Sequence, residues 1–472
     1  MAGRKKSPAA VAEAAAKSAA AAQSAAEPAA SSTRALLFSV FAICLLHAFA
    51  CMWVRNLGFD HISDDDFSRV TIAQGFAHQA HLDPSGTSWL PFPFWIMGFG
   101  MKLLGRDLAT ARGLAIFFAS LAAPLPWLAL RLTKVPGWRA FGAIVFAFGT
   151  PWAIWTGAAT VPESFTASLT AAGVIALASA STLSRRALIG FAAALFAACL
   201  SRYEAWPAAA VAAIALGLQF RETRRKELLV AIALSVAAPL LWMAWNAHAH
   251  DGPLHFFRRV STFKRAIGDG STSLFDSLVF YPKLLFAVRP EVTLPALVLT
   301  PLAVADKAVR KQWGLPLAAV LAEVVFLAIG NARDGAAAHH SERALLACFV
   351  ILALYVGFVL LTPWVRVLKD EEAAKTQSTP KAQRAFMGFV IVAWLVTLLR
   401  ADGMTPGTQP SELRDDQMQR GDKLRRDGAK KLEVTPCGYE HFALVAAFGE
   451  PENVTVNQSH FGGECPKVEV KD

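Results

Sequence analysis

The chain has 472 residues, 54% of them apolar and 17% charged, with a mean hydropathy of +0.39 and a formal net charge of +10. Soluble domains carry about a quarter charged residues, so these figures exclude a string of soluble domains and point to an all-α polytopic membrane protein. Nucleic acid is excluded as a partner as well: Lys and Arg fall in short runs between apolar segments, which is a topology signal and not one basic face.

Residues 1–33 are Ala-rich with Ser, Pro, Gln and scattered charge. Arg4, Lys5 and Lys6 open them, but no Leu/Phe-rich stretch follows before Leu36. The expectation is a disordered cytoplasmic arm and not a cleavable signal peptide. The first span covers about 36–54 with Arg34 at its start, so the positive-inside rule puts the N-terminus in the cytoplasm and residues from Arg55 outward. The first outer loop, 55–107, is long. It holds His61-Ile62-Ser63-Asp64-Asp65-Asp66-Phe67-Ser68-Arg69 and then Trp89-Leu90-Pro91-Phe92-Pro93-Phe94-Trp95. The apolar run 89–104 is shorter than the twenty residues or so that a span needs and contains prolines, so it reads as a re-entrant or interface-lying helix.

Further spans follow at about 108–130, 140–157, 164–182, 187–200, 205–220 and 228–247, then a second long outer loop at 248–284. The eighth span is interrupted by Pro282, Pro290 and Pro295 and ends near Val304; the ninth to eleventh cover about 314–330, 344–364 and 386–399. About eleven transmembrane helices, with the C-terminus outside, place nearly every basic cluster in the cytoplasm. The transmembrane domain is therefore 34–400, and the expected setting is a bacterial inner membrane. Residues 401–472 change character: they are polar, punctuated by Gly and Pro, with short alternating runs, and predict a small extracytoplasmic α/β domain. Cys44, Cys51, Cys199 and Cys348 lie in apolar segments and read as packing residues. Cys437 and Cys465 lie in the tail on the oxidising side, where a disulfide between them is expected.

On this topology Asp64, Asp65, Asp66, Glu163, Arg202, Glu204, Arg258, Arg259, Lys264, Arg265, His339, His340 and Arg343 all face one side. Adjacent carboxylates repel, and partial desolvation raises at least one of them toward general-base range. The plainer alternative is an exposed helix turn with an Asp65–Arg69 pair at i,i+4 spacing. Glu163 is either a second carboxylate, orienting an acceptor or a metal, or a complement to its helix dipole. Arg202 is either a phosphate ligand or one half of an Arg202–Glu204 pair at a tight turn. Arg258, Arg259, Lys264 and Arg265 alternate with Phe256, Phe257 and Phe263, which suits a lipid phosphate with its chain and equally suits an interfacial loop. His339, His340 and Arg343 complete the candidate donor-phosphate set. No cysteine or histidine spacing marks a metal site.

The long first outer loop, the acidic pair soon after the first span, the Trp89–Trp95 stretch and the C-terminal outer domain together resemble the GT-C superfamily of membrane glycosyltransferases. That superfamily includes protein O-mannosyltransferases and lipid A aminoarabinose transferases. Its pattern of Asp-Asp or Asp-Glu, any residue, then often an aromatic is matched by Asp64-Asp65-Asp66-Phe67. The resemblance implies a polyprenyl-phosphate-linked sugar donor, a lipid, glycan or protein acceptor, and transfer with inversion at the anomeric carbon. It makes Asp64 or Asp65 the base, leaves the register open by one residue, and places Glu163 at a second acidic motif. No cofactor is implied beyond, at most, a divalent metal ion. The competing classes are a lipid or sugar transporter or flippase, a polymerase or ligase using a diphosphate-linked donor, and a noncatalytic scaffold.

Overall fold

Helix length and apolarity decide which parts of this chain can cross a bilayer. The computed structural model describes residues 33–220, 224–266, 272–335, 341–362, 380–399, 414–436, 438–457 and 467–471. His339, His340, Cys437 and Cys465 lie outside them, and with the two cysteines so does the expected disulfide. Six helical stretches among the described residues are long and apolar enough to span: Thr33–Asn56, Leu108–Leu132, Arg225–Ala249, Lys307–Ala332, Ser341–Leu360 and Lys381–Leu399. Two bent pairs raise the number to eight if each pair counts as one span. The protein is thus a helical, multi-pass membrane protein, with six to eight such spans against the eleven expected. The difference lies in short helices such as Glu163–Leu177 and Ala205–Leu218, at 15 and 14 residues, below the twenty or so that a span requires.

In chain order, α1 (Thr33–Asn56) leads to α2 (Asp65–His78) and α3 (Phe92–Leu104). Next come α4 (Leu108–Ala122), capped by Asp107 accepting the Thr110 N–H at 2.8 Å, and α5 (Leu125–Leu132). The segment read as one span at 140–157 is α6 (Gly137–Phe148) and α7 (Pro151–Ala158), bent by 75° at Gly149–Thr150. Pro151 cannot donate its missing N–H to the preceding turn, and so it starts a new helix. Then follow α8 (Glu163–Leu177), α9 (Arg185–Cys199), α10 (Ala205–Leu218) and α11 (Arg225–Ala249). The supposed second outer loop contains α12 (His255–Ala266) and the start of α13 (Leu274–Val288), which Ser273 caps by accepting the Asp276 N–H. After the break at Arg289 come α14 (Pro290–Ala305), α15 (Lys307–Ala332), α16 (Leu346–Leu360) and α17 (Lys381–Leu399).

Helix α8 is built largely of Ala, Ser, Thr and Gly, and every residue except Phe165 is buried. Small side chains let neighbouring backbones approach closely; α5, α9 and α16 pack around it. Helix α16, apolar throughout, is nearly as enclosed. These two central helices carry Glu163 and Arg343 at or just before their N-terminal ends.

The C-terminal segment adds α18 (Asp415–Arg426), β1 (Lys431–Thr435), α19 (His441–Phe448), β2 (Val454–Val456) and β3 (Lys467–Lys471). The sheet order is β2-β1-β3, with β1 parallel to β2 and antiparallel to β3. A parallel pair needs a crossover, and α19 supplies it. The apolar run 442–447, one of the short runs in the tail, is this helix; periodicity does not separate a short buried helix from a buried strand.

One apolar cluster positions the Asp stretch. Phe67, Val70, Ala73 and Ala77 of α2 meet Phe94 and Met101 of α3, Ala111 and Leu114 of α4, and Ala443, Ala446 and Ala447 of α19. Helix α3, at 13 residues, is too short to span and lies against α2. The approach is close at Gly98, where a Cβ would stand 2.6 Å from Phe76 Cδ1 and 2.7 Å from the Ala73 carbonyl oxygen. Gly98→Ala should therefore cost about 1–3 kcal/mol, read as a lowered midpoint of thermal unfolding in detergent; an unchanged midpoint would show that the α2–α3 contact is loose.

Candidate active site

The three consecutive aspartates have three different environments. Asp66 is buried; its Oδ2 accepts the N–H groups of Ile62 and Ser63 at 3.1 and 3.2 Å, and its Oδ1 accepts the Thr160 N–H at 3.0 Å. The Thr160 hydroxyl donates to the Asp66 carbonyl at 2.8 Å. Asp66 thus ties the start of α2 to the turn before α8. Burial pushes its carboxyl above the ordinary range, and the charges of Arg343 and His61 with the backbone donors offset only part of that. Asp64 is gripped by the fork of Arg414, with Nε and Nη2 at 2.7 and 2.9 Å. Asp65 is the accessible one: its side chain is 44% exposed and accepts from Arg343 Nη1 at 3.3 Å. The i,i+4 reading predicted Arg69 as its partner, but the hydrogen bond comes from Arg343.

Glu163 is the hub. Its Oε1 accepts from Arg343 at 2.8 Å (Nε) and 2.6 Å (Nη2) and also from Arg202, while its Oε2 has no hydrogen-bond partner among the described residues. Burial would push the Glu163 carboxyl up, but the guanidinium groups of Arg202, Arg343 and Arg69 outweigh it and bring it to about 2. Arg202 also donates to Glu204 through Nε at 3.1 Å and through Nη2, and Arg343 donates to the Ser63 hydroxyl at 2.9 Å. The result is one continuous array: Asp65, Arg343, Glu163, Arg202, Glu204. The plainer alternatives for both residues, a helix-terminal acid at Glu163 and a turn pair of Arg202 with Glu204, are present here as parts of the same array.

Beside this array Tyr203 donates to the Ser88 carbonyl at 2.8 Å, accepts from Trp242 Nε1 at 3.1 Å and stacks on Phe256 with ring centroids 4.5 Å apart. It joins the segment before α3, the 200–204 turn and α12. Arg69 lies under the Trp89 ring, 4.3 Å from its centroid, and forms no hydrogen bond among the described residues. Burial brings the Arg69 guanidinium down to about 10; Glu163 and Asp65 work against that, Arg202 and Arg343 with it.

The rest of the basic set goes elsewhere. Lys264 donates to Asn331 at 2.8 Å, Arg265 pairs with Asp334 at 2.9 Å, Arg258 pairs with Asp251 at 2.9 Å, and Arg259 is exposed. Lys264 and Arg265 thus turn toward the end of α15 and Arg258 toward the segment before α12, and none of the four pairs with Glu163 among the described residues. No group of three or more His, Cys, Asp or Glu among the described residues is arranged to hold a metal ion. Arg414, 350 positions from Asp64, carried no signal in the sequence. Glu323 was also missed: it is fully buried within α15 beside the Cys348 thiol, with Glu204 and Arg202 in electrostatic range, so not all the charged groups sit at helix ends.

No protein-family model matches the chain, and no curated protein matches it in sequence. Solved structures match its fold. ArnT from Cupriavidus metallidurans in the apo state is 16% identical over 90% of this chain and 76% of its own, with a TM-score of 0.50. The same protein bound to undecaprenyl phosphate is 17% identical over 89% and 76%, with a TM-score of 0.49. ArnT is an aminoarabinose transferase of the GT-C family, and this chain shares the fold of the apo structure.

Two measurements test the array. Glu163→Gln leaves two buried guanidinium groups short of an anion, which should cost about 3–5 kcal/mol of stability. Because the folded carboxyl lies near 2 and an unperturbed one near 4.5, the contribution of wild-type Glu163 is present above about 4.5 and is lost as pH falls toward about 2; an acid-unfolding curve identical in Glu163→Gln would refute this. Arg414→Ala and Asp64→Asn should couple by about 0.5–3 kcal/mol in a double-mutant cycle, whereas strict additivity would mean that the fork does not hold Asp64.

Proposed function

We propose, from a fold shared with the GT-C glycosyltransferases, that this chain transfers a sugar with inversion from a polyprenyl-phosphate carrier to a hydroxyl or amine of a lipid, glycan or protein acceptor. The transfer takes place at the extracytoplasmic membrane face, with the N-terminus inside and the domain 401–472 outside. The observation that carries this reading is the difference among the acids. Asp66 is spent on backbone donors, Asp64 on Arg414 and Glu163 on two arginines, so Asp65 is the half-exposed carboxylate left to meet a substrate.

Asp65 accepts the proton of the acceptor group. The freed lone pair forms a bond to C1 of the sugar from the face opposite the phosphate. The bond between C1 and the phosphate oxygen breaks, and its electron pair stays on the phosphate, so the products are the inverted glycoside and the polyprenyl phosphate. Arg343 holds Asp65 in place, and the fixed, buried charges around Glu163 supply a preorganised field beside it. A phosphate ester is already a good leaving group, and the reading needs no general acid.

The test is transfer of radiolabelled sugar from synthetic polyprenyl-phosphate-linked donors by the purified protein. Asp65→Asn should lower kcat by about 10²–10⁴, while Asp64→Asn stays within about tenfold of wild type. Comparable rates in wild type and Asp65→Asn would sink the base assignment; a folded wild type that releases no polyprenyl phosphate from any donor would sink the transferase reading.

A further inference from the structure

Three arginines lie around Glu163, and two of them are fully engaged. Arg202 binds Glu163 and Glu204; Arg343 binds Glu163, Asp65 and Ser63. The third, Arg69, is only 8% exposed, and its Nε is sealed from solvent with no acceptor. Its neighbours in contact are ring faces, with the guanidinium carbon 4.3 Å from the Trp89 centroid and 5.9 Å from that of Phe94. A guanidinium desolvated to this degree without an acceptor is costly, and its five donors in a fixed fork match the oxygens of a phosphate.

Arg69 also lines a groove between α3, α4 and the segment before α8. Phe94, Ile96, Met97, Phe118 and Phe165 form its walls, and Thr160 is the one other polar residue in its lining. A cation with unmet donors at the side of an apolar groove selects for an anion that carries an apolar chain. Neither a free anion nor a neutral lipid satisfies both parts.

We propose that Arg69 is the residue that receives the phosphate of the lipid carrier, with the start of the apolar chain lying along Phe94, Met97 and Phe118. Arg202 and Arg343 then serve to hold Glu163 and Asp65. The inference deepens the transferase reading. As the C1–O bond breaks, the phosphate goes from a diester to a monoester, and the electron pair it keeps comes to rest on an oxygen within reach of the Arg69 fork.

The experiment is equilibrium binding of radiolabelled farnesyl phosphate to the full-length protein in detergent, with farnesol and inorganic phosphate as competitors. Wild type should bind farnesyl phosphate at least tenfold tighter than either competitor. Arg69→Met should lose that tenfold and bind farnesyl phosphate no better than farnesol, and Arg69→Lys should recover part of it because the charge returns without the flat stack on Trp89. Phe118→Trp, which narrows the groove, should weaken farnesyl phosphate while leaving inorganic phosphate unchanged. Wild-type affinity for farnesyl phosphate in folded Arg69→Met, or in Arg69→Lys and Phe118→Trp together should Arg69→Met not fold, would overturn the assignment. So would inorganic phosphate competing as well as farnesyl phosphate, which would mark a small-anion site, or farnesol competing as well, which would mark a groove indifferent to charge. Asp65→Asn should keep farnesyl phosphate binding. Binding through Arg69 without sugar transfer would therefore fault the transferase reading alone, and transfer with Arg69-independent binding would fault this inference alone.

Discussion

The placement of Glu163 between Arg202 and Arg343 is the constraint on which the candidate site depends. A carboxylate with no solvent exposure is tolerable only if cations and donors replace the water it loses, and here two guanidinium groups do so from two different parts of the chain. Each also has a second acid to satisfy, Glu204 for Arg202 and Asp65 for Arg343. The array therefore fixes the distance between the start of α2, the end of α9 and the start of α16 in one arrangement. The small-residue composition of α8 is part of the same solution, because it lets α16 come close enough for Arg343 to reach Glu163.

A second layer holds the Asp stretch from the other side. Helix α19 rests on α2 through alanines, and Gln74 donates to the Ala446 carbonyl at 2.8 Å and to the Arg106 carbonyl at 2.7 Å. Arg106 and His78 both reach Glu452, at 2.6 and 3.2 Å. With Arg414 on Asp64 these contacts make the C-terminal segment a structural support of α2. An acid cluster that reads as self-repelling in isolation is stable because each of its members has a separate counterpart.

The polytopic character, the placing of the long apolar stretches and the short helix after the Asp cluster were legible in composition and periodicity, since the bilayer imposes a length and an apolarity that a linear chain cannot conceal. Span counting was less secure. The bend at Gly149–Thr150, the break at Arg289 and the 14- and 15-residue helices all interrupt runs that look continuous or sufficient in one dimension. Glu163, Arg202 and Arg343 were picked out as charges beside apolar segments, and they do meet. Arg258, Arg259, Lys264 and Arg265 were chosen on the same ground and pair elsewhere, because density of charge in a loop says nothing about its direction.

The sequence by itself determined that this is a membrane protein and where its acids and bases lie relative to its apolar segments. Those are properties of local composition and order, which need no partner. Only the tertiary structure decided what holds each of Asp64, Asp65 and Asp66, and that the buried Nε of Arg69 meets no acceptor among the described residues. That depends on Arg414, Arg343 and Thr160, which lie 350, 278 and 94 positions from the aspartates they bind. A carboxylate's role is set by which donors reach it, and that is a question of distance in space.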